Sequence, residues 1–216
     1  MCIRDRFGSD VDQEKTSGKD FQASVDSAIG YLRSDGVVAF ATDTLYGLGA
    51  DVFSLPALER VFAIKGRPEG QPLPVLVSGW DQVEMVAAGV APKAERLARR
   101  FWPGGLTLVL RSLPEVPTLL TGGGGTVAVR MPNHRVPVAL ASGLGRPITG
   151  TSANLSGHAD IESLISLESK LGDRVDFLVK AGPAPQGVAS TIVDITSHEP
   201  RLIREGAVPF RRFLET

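Results

Sequence analysis

The sequence predicts an α/β fold, and three observations carry this prediction. Short apolar runs typical of buried strands alternate with segments whose apolar residues recur at helical spacing. The 216 residues include 24 glycines and 15 prolines, more than a helical bundle tolerates and consistent with many turns between short elements. At ~150 residues per domain, this length corresponds to one domain with a substantial core.

The first elements follow from apolar spacing and from residues that end helices. Residues 1–18 are polar and aperiodic, so we expect a disordered or non-native tail before one domain at 19–212. Apolar residues then recur at helical spacing from Phe21 to Leu32, and Asp35-Gly36 ends this helix. The apolar run 37–41 predicts a buried strand.

The remaining elements continue the alternation. Proline in the first turn marks the start of helices at Pro56 and Pro92, and β-branched apolar runs predict the strands. The predicted elements are, in order, a helix from Pro56, a strand at 73–77, a helix at 92–102, strands at 106–111 and 126–131, a short helix at 136–142, a strand from 147, a helix at 161–171, and strands at 177–179, 190–195 and 201–204. The Pro/Gly-rich loop at 113–125 is a candidate mobile flap.

Composition excludes several classes of function. The formal net charge of −1 argues against a general attraction to nucleic acid, so any anion site must be local. The single cysteine, Cys2, excludes an intramolecular disulfide. The three histidines, His134, His158 and His198, have no metal-ligand spacing, and we expect no metal site. With no membrane-spanning run and no secretory signal, a cytoplasmic protein is the simplest interpretation.

A polar segment follows the predicted strand 37–41 directly. It places the hydroxyls of Thr42 and Thr44 and the carboxylate of Asp43 at a strand end, where open α/β sheets bind ligands. Ordinary turn chemistry explains the same residues, and we assign Asp43 to the turn. No general base is identified.

Cations form the second set of candidate site residues. Lys65 and Arg67, separated by Gly66, combine a compact charge with a planar fork that suits phosphate oxygens. A solvated helix end would also favour these cations. Arg130 and Arg204 end predicted strands, where each can face a ligand or remain an exposed surface charge.

A hydroxyl-rich turn at 145–157 is the third candidate. Thr151 stands where a Walker A motif requires lysine, so this segment is not a P-loop. Its backbone N–H groups and hydroxyls can bind phosphate or carboxylate, or can form a capped turn before a helix. Together with the arginines, this inventory suits a small anionic or zwitterionic substrate and a nucleotide, with catalysis by positioning and charge stabilisation.

Six segments, taken together, resemble the YrdC/Sua5 family of threonylcarbamoyl-AMP synthases, and they occur in the family's order. These segments are Thr42–Leu48, Lys65–Pro68, Phe101–Thr107, Val129–Pro132, Thr151–Gly157 and Ser190–Asp194. The resemblance implies a twisted, mixed or parallel sheet with flanking helices around a concave, positively charged cavity. It also implies the short, single-domain form of the family.

The resemblance further implies an L-threonylcarbamoyladenylate synthase, which is a nucleotidyltransferase. Such an enzyme forms threonylcarbamoyl-AMP and pyrophosphate from L-threonine, bicarbonate and ATP, with Mg²⁺ accompanying the nucleotide. A partner transferase then places the threonylcarbamoyl group on tRNA, and a weak contact with tRNA itself is expected. Two alternatives stay open: an RNA-binding module of the same fold, and a carbamoyl-transferring relative.

The family's roles can be carried over residue by residue. The resemblance assigns L-threonine to Thr44, Arg130, Gly150 and Ser190. It assigns ATP to Lys65, Arg67, Gln71, Thr126, Ser152, Asn154, Asp160 and Arg204. Charge stabilisation during the reaction falls to Lys65, Arg67 and Arg130. Two departures are visible: Leu76 replaces a frequent histidine, and Gly150-Thr151 replaces a usual Ala-Pro pair.

Overall fold

The structure is a computed structural model that describes residues 18–197 and 199–214. The tail predicted at 1–18 lies outside the described residues except for Gly18, which already begins a helix. Cys2 and His198 also lie outside the described residues. The domain boundaries at 19 and 212 stay a prediction.

Helices flank the sheets along the described chain. They are α1 (Gly18–Arg33), α2 (Leu55–Lys65), α3 (Trp80–Glu84), α4 (Pro92–Phe101), α5 (Thr118–Thr121), α6 (Arg135–Leu144), α7 (Leu164–Leu171) and α8 (Arg211–Leu214). Capping defines the ends of α2, because Ser54 Oγ accepts the Ala57 N–H at 3.2 Å and Gly66 follows the helix at φ +57°. Lys65 is therefore the last residue of a firmly ended helix.

The strands are short and form two mixed sheets. They are β1 (Val38–Ala41), β2 (Tyr46–Gly49), β3 (Val75–Leu76), β4 (Leu106–Arg111), β5 (Thr126–Arg130), β6 (Ile148–Thr149), β7 (Thr151–Ser152), β8 (Phe177–Leu178), β9 (Thr191–Asp194) and β10 (Arg201–Arg204). The first sheet has the order β7-β2-β1-β8, and the second has the order β10-β9-β4-β5-β3-β6. Both contain parallel and antiparallel pairs.

The chain passes from one sheet to the other at Gly150. This residue separates β6 of the second sheet from β7 of the first, and its N–H donates to Pro74 O at 2.8 Å. The two sheets therefore meet at this point, and side chains from both can face one space.

The core has two parts on opposite sides of β1. Ala39 and Ala41 join the larger cluster, whereas Val38 and Phe40 join a smaller cluster with α1 and α6. Because successive strand residues point to opposite faces, this division means that β1 is covered on both faces. The turn that follows β1 therefore begins at the end of a strand that is packed on both faces.

The α/β class is confirmed, with differences in detail. The strands form two sheets rather than one. Strand β2 was not predicted, and Thr151–Ser152, which falls in the predicted turn at 145–157, is strand β7. Helices α3, α5 and α8 were not predicted, and α5 lies within the predicted flap at 113–125. Helix α7 begins at Leu164 rather than 161, because Ser163 caps it.

Candidate functional site

A cavity of about 270 Å³ lies where the two sheets meet, close to the lower end of small-ligand pockets at roughly 300 Å³. Its polar lining consists of hydroxyls and guanidinium groups, namely Thr42, Thr44, Tyr46, Thr107, Thr151, Ser152, Ser190, Arg67, Arg130 and Arg204. Its apolar lining comes mainly from the second sheet, with Leu76, Val109, Ile192 and Ile203. A lining of this kind suits a ligand that carries negative charge beside an apolar part.

The turn between β1 and β2 fixes the first hydroxyl. Thr42 Oγ1 accepts the N–H groups of Thr44 at 3.1 Å and Leu45 at 3.2 Å, and donates to Leu45 O at 2.7 Å. Thr42 thereby closes the turn on its own backbone. Thr44 Oγ1 lies 3.0 Å from Thr42 Oγ1 and faces the cavity. The two interpretations of this segment, turn chemistry and a ligand site, therefore apply to different residues. Thr42 closes the turn, and Thr44 faces the cavity.

Arg130 ends β5 and is nearly inaccessible, at 5% exposure. Its Nε donates to Gly104 O at 2.8 Å, its Nη1 donates to Thr44 Oγ1 at 2.6 Å, and its Nη2 donates to Asp43 Oδ1 in a short ion pair. Burial lowers the pKa of Arg130, and the charge of Asp43 opposes that shift. The Asp43 carboxylate behind Arg130 thus offsets part of the cost of burying the guanidinium charge.

A second polar group comes from β4, β9 and β10. Thr107 Oγ1 and Ser190 Oγ lie 2.8 Å apart, deep in the second sheet. Arg204 donates from Nη2 to Ser190 O at 2.8 Å and from Nε to the same oxygen at 3.1 Å. Burial lowers the pKa of Arg204, and the nearby carboxylate of Asp160 raises it. These contacts hold one guanidinium and two hydroxyls on one side of the cavity.

Arg67 faces the cavity from the segment that follows α2. Its Nη2 donates to Pro72 O at 2.9 Å and its Nε to Gln71 O at 3.3 Å. Both acceptors are neutral carbonyls, so the guanidinium keeps its full charge for an anionic ligand. Gln71 contributes its backbone here, while the residue itself is exposed.

Lys65 lies behind the residues that line the cavity and does not itself face the cavity. Its Nζ donates to Ser152 O at 2.5 Å, to Asn154 O at 2.8 Å and to Asn154 Oδ1 at 3.4 Å. Ser152 Oγ donates to the same Oδ1 at 2.6 Å. Burial lowers the pKa of Lys65 to about 8, and the charge of Arg67 adds to this effect. Lys65 therefore organises the loop that presents Ser152.

The structure brings most of the predicted site residues together. The predicted threonine residues Thr44, Arg130, Gly150 and Ser190 all line the cavity, as do the predicted nucleotide residues Arg67, Ser152 and Arg204. The other predicted nucleotide residues lie off the lining: Lys65 and Asn154 behind Ser152, Gln71 and Asp160 exposed at the periphery, and Thr126 at the start of β5. The individual roles stay predictions.

The two departures from the family pattern meet at one contact. A Cβ built on Gly150 would lie 2.3 Å from Leu76 Cγ and within 2.8 Å of both its δ carbons. Leucine at position 76 therefore fills the space that an alanine at position 150 would need. Both residues line the cavity, so this pair sets the shape of one of its walls.

Several residues that line or support the cavity were given no site role from the sequence, and three of them are polar groups of note. Asp43 was assigned to the turn, yet it pairs with Arg130. Thr107 and Tyr46 belong to recognised motifs but received no role, and both face the cavity. Burial raises the pKa of the Tyr46 hydroxyl. Strand alternation could have identified Thr107, because it is the polar residue within the otherwise apolar run Leu106–Leu110 of β4.

Two further searches concern only residues 18–197 and 199–214. There, no group of three or more His, Cys, Asp or Glu side chains is placed to hold a metal ion. In the same ranges, no helix is both long and apolar enough to cross a bilayer.

Known proteins similar to this chain share one family. A model of the Sua5/YciO/YrdC family, described as "Telomere recombination", matches residues 30–206. The threonylcarbamoyl-AMP synthase of Pyrococcus abyssi is 41% identical over 182 residues, which cover 84% of this chain and 54% of that protein. The threonylcarbamoyl-AMP synthase of Thiobacillus denitrificans is 34% identical over 167 residues, which cover 77% of this chain and 88% of that protein.

A solved structure is similar as well. The crystal structure of P. abyssi Sua5 complexed with L-threonine has a TM-score of 0.85 at 39% identity, covering 88% of this chain and 56% of that one. The chain thus spans about half the length of the P. abyssi protein.

Proposed function

The chain belongs to the Sua5/YciO/YrdC family, and on this basis we propose that it is a threonylcarbamoyl-AMP synthase. It would use L-threonine, bicarbonate and ATP and release pyrophosphate. The observation that carries the proposal is the convergence of Arg67, Arg130 and Arg204 on one cavity. These residues come from distant parts of the chain, since Arg130 and Arg204 end strands β5 and β10 of the second sheet and Arg67 follows α2.

The proposed reaction requires anions to approach each other. The threonine ammonium group first loses a proton, and the resulting amine attacks the carbon of bicarbonate. The C–N bond forms, the bond from that carbon to one bicarbonate oxygen breaks, and this oxygen leaves as water, so that a carbamate results. A carbamate oxygen then attacks the α-phosphorus of ATP, and the bond from that phosphorus to the pyrophosphate oxygen breaks. Both partners of the second step are negative, so fixed positive charges must offset their repulsion in the cavity.

The chain's own groups divide naturally between the two substrates. Arg130 and the hydroxyls of Thr44 and Ser190 suit the carboxylate, amine and hydroxyl of an amino acid. Arg67 and Arg204 donate to oxygens of Gln71, Pro72 and Ser190, which are neutral and do not offset the guanidinium charges. They suit the triphosphate.

The residues present fit Mg²⁺ that arrives on the triphosphate. The described lining offers hydroxyl oxygens and guanidinium groups, whereas a protein-held Mg²⁺ usually takes one or two carboxylates. Phosphate oxygens and water would therefore hold the ion. When bound, it would offset phosphate charge, as the arginines do.

The product also implies partners. A mixed anhydride hydrolyses readily, so a transferase that acts on tRNA must accept it soon after release. We expect that transferase, and a weak contact with tRNA, in the cytoplasm.

Pyrophosphate release tests the proposal directly. We expect release only when L-threonine, bicarbonate and ATP are all present, and incorporation of labelled bicarbonate into an adenylate. Arg204→Ala should raise the KM for ATP about 10- to 100-fold, the usual range for a lost charged hydrogen bond. Arg146→Ala is the matched control, because Arg146 pairs with Asp51 and does not line the cavity. Release that is independent of threonine would contradict the proposal.

A further inference from the structure

Asp43 is a buried charge that the proposed reaction does not use directly. Its side chain is 12% exposed and pairs with Arg130, whose side chain is 6% exposed. Asp43 lies behind the guanidinium and does not belong to the cavity lining. Desolvating two charges offsets much of their attraction, so a buried pair of this kind is weak support for stability. The position of Asp43 behind Arg130 instead indicates that this ion pair helps to bind a ligand in the cavity.

The hydrogen bonds of Arg130 leave a defined part of its guanidinium free. Of its five N–H groups, three are used, by Gly104 O, Thr44 Oγ1 and Asp43 Oδ1. One N–H therefore remains on each terminal nitrogen. These two remaining donors are equal in number to the two oxygens of a carboxylate, with which arginine commonly pairs.

Asp43 differs from the other two acceptors because it is charged. Within residues 18–197 and 199–214, it is the carboxylate that forms an ion pair with Arg130. Arg204 is close enough to disfavour the charged form of Arg130, and Asp43 favours it. The carboxylate thus both anchors Nη2 and offsets the repulsion from a second guanidinium.

We propose that Asp43 is a positioning residue, which holds the Arg130 guanidinium with its two unused N–H groups toward the carboxylate of the amino-acid substrate. The inference rests on the proposed function, because it takes that substrate to be L-threonine. Asp43 touches no substrate in this account and acts through Arg130 alone.

Substitution at position 43 separates this role from a structural one. Asp43→Asn keeps the size and one acceptor oxygen but removes the charge. We expect the KM for L-threonine to rise about 10- to 100-fold, as for a lost charged hydrogen bond, while the KM for ATP stays nearly constant. Asp43→Glu restores the charge and should recover part of the loss. Asp51→Asn is the control, because Asp51 pairs with Arg146 outside the cavity.

A double-mutant cycle tests whether the effect passes through Arg130. In an Arg130→Lys background, adding Asp43→Asn should change the KM for L-threonine less than threefold. Additive effects would overturn the proposal. An unchanged KM for L-threonine in Asp43→Asn would also overturn it. So would an equal rise in the KM values for L-threonine and ATP that is accompanied by a lower midpoint of unfolding.

A readout without turnover keeps the two proposals distinguishable. Nitrogen NMR of the Arg130 guanidinium reports its hindered rotation, which Asp43→Asn should speed and Asp51→Asn should not. If the wild-type protein released no pyrophosphate, the proposed function would fail while this measurement still tested the Asp43–Arg130 arrangement. Unchanged rotation in Asp43→Asn would overturn the arrangement itself.

Discussion

Replacing Gly150 by alanine should destabilise the protein through one contact. The new methyl group would lie 2.3 Å from Leu76 Cγ. Leu76 is 2% exposed and lies in β3 between β5 and β6, so its side chain can shift only toward the cavity that it lines. Overpacking of this kind costs about 1–3 kcal/mol. We expect Gly150→Ala to lower the free energy of unfolding by that amount.

Replacing Leu76 by alanine should relieve the overpacking that Gly150→Ala causes. Leu76→Ala alone leaves a cavity and costs about 2–5 kcal/mol. In the double variant the methyl of the new alanine at position 150 occupies part of that cavity. The double variant should therefore be more stable than the sum of the single effects predicts, by about 1–2 kcal/mol.

Urea unfolding, followed by tryptophan fluorescence, measures all three variants. Gly30→Ala is the control, because a Cβ at this position in α1 meets nothing within 4 Å. Alanine there should stabilise the helix by about 0.5–1 kcal/mol. Single effects at positions 76 and 150 that add within about 0.5 kcal/mol would refute the argument, as would a neutral Gly150→Ala.

Two other predictions follow from buried titratable groups. Lys65→Met should weaken nucleotide binding about tenfold in calorimetry, because the loop 152–154 loses its charged donor. The nucleotide affinity of the wild type should fall as pH rises through about 8, where Lys65 loses its proton. The Lys65→Met variant should lack this pH dependence. Burial lowers the pKa of His134, whose Nδ1 accepts the Val136 N–H and whose Nε2 contacts Pro183 O. The folded protein therefore binds this proton less readily than the unfolded chain, and stability is complete above pH 6.5 and declines as pH falls below it. Urea midpoints between pH 7.5 and 5.5 should drop less in His134→Gln than in the wild type, and equal drops would contradict this assignment.

The order of the main elements could be predicted from local patterns, but the two sheets could not. Apolar periodicity located α1, β1 and β4, whose burial is decided by their own residues. Strand β2 was missed because two of its four residues are glycine. A tertiary contact explains one of these glycines, because a Cβ at Gly49 would lie 2.5 Å from the Phe40 ring. Nothing local in the sequence reports that ring.

The residue types of the candidate site could be predicted from the sequence more fully than the contacts between them. Arg130 and Arg204, which end predicted strands, both line the cavity, as expected where strand ends direct side chains to a sheet edge, and their roles stay predictions. The supporting contacts could not be anticipated. Lys65 was expected to face phosphate, yet it contacts the carbonyls of Ser152 and Asn154. Asp43 was expected to serve only its turn, yet it pairs with Arg130, 87 residues away. Such pairings depend on the packing of whole sheets.

A crystal structure with L-threonine and a non-hydrolysable ATP analogue tests the central claim most directly. The account predicts amino-acid density between Arg130, Thr44 and Ser190, with the triphosphate between Arg67 and Arg204. Density for either ligand at a different surface, with this cavity left unoccupied, would contradict it.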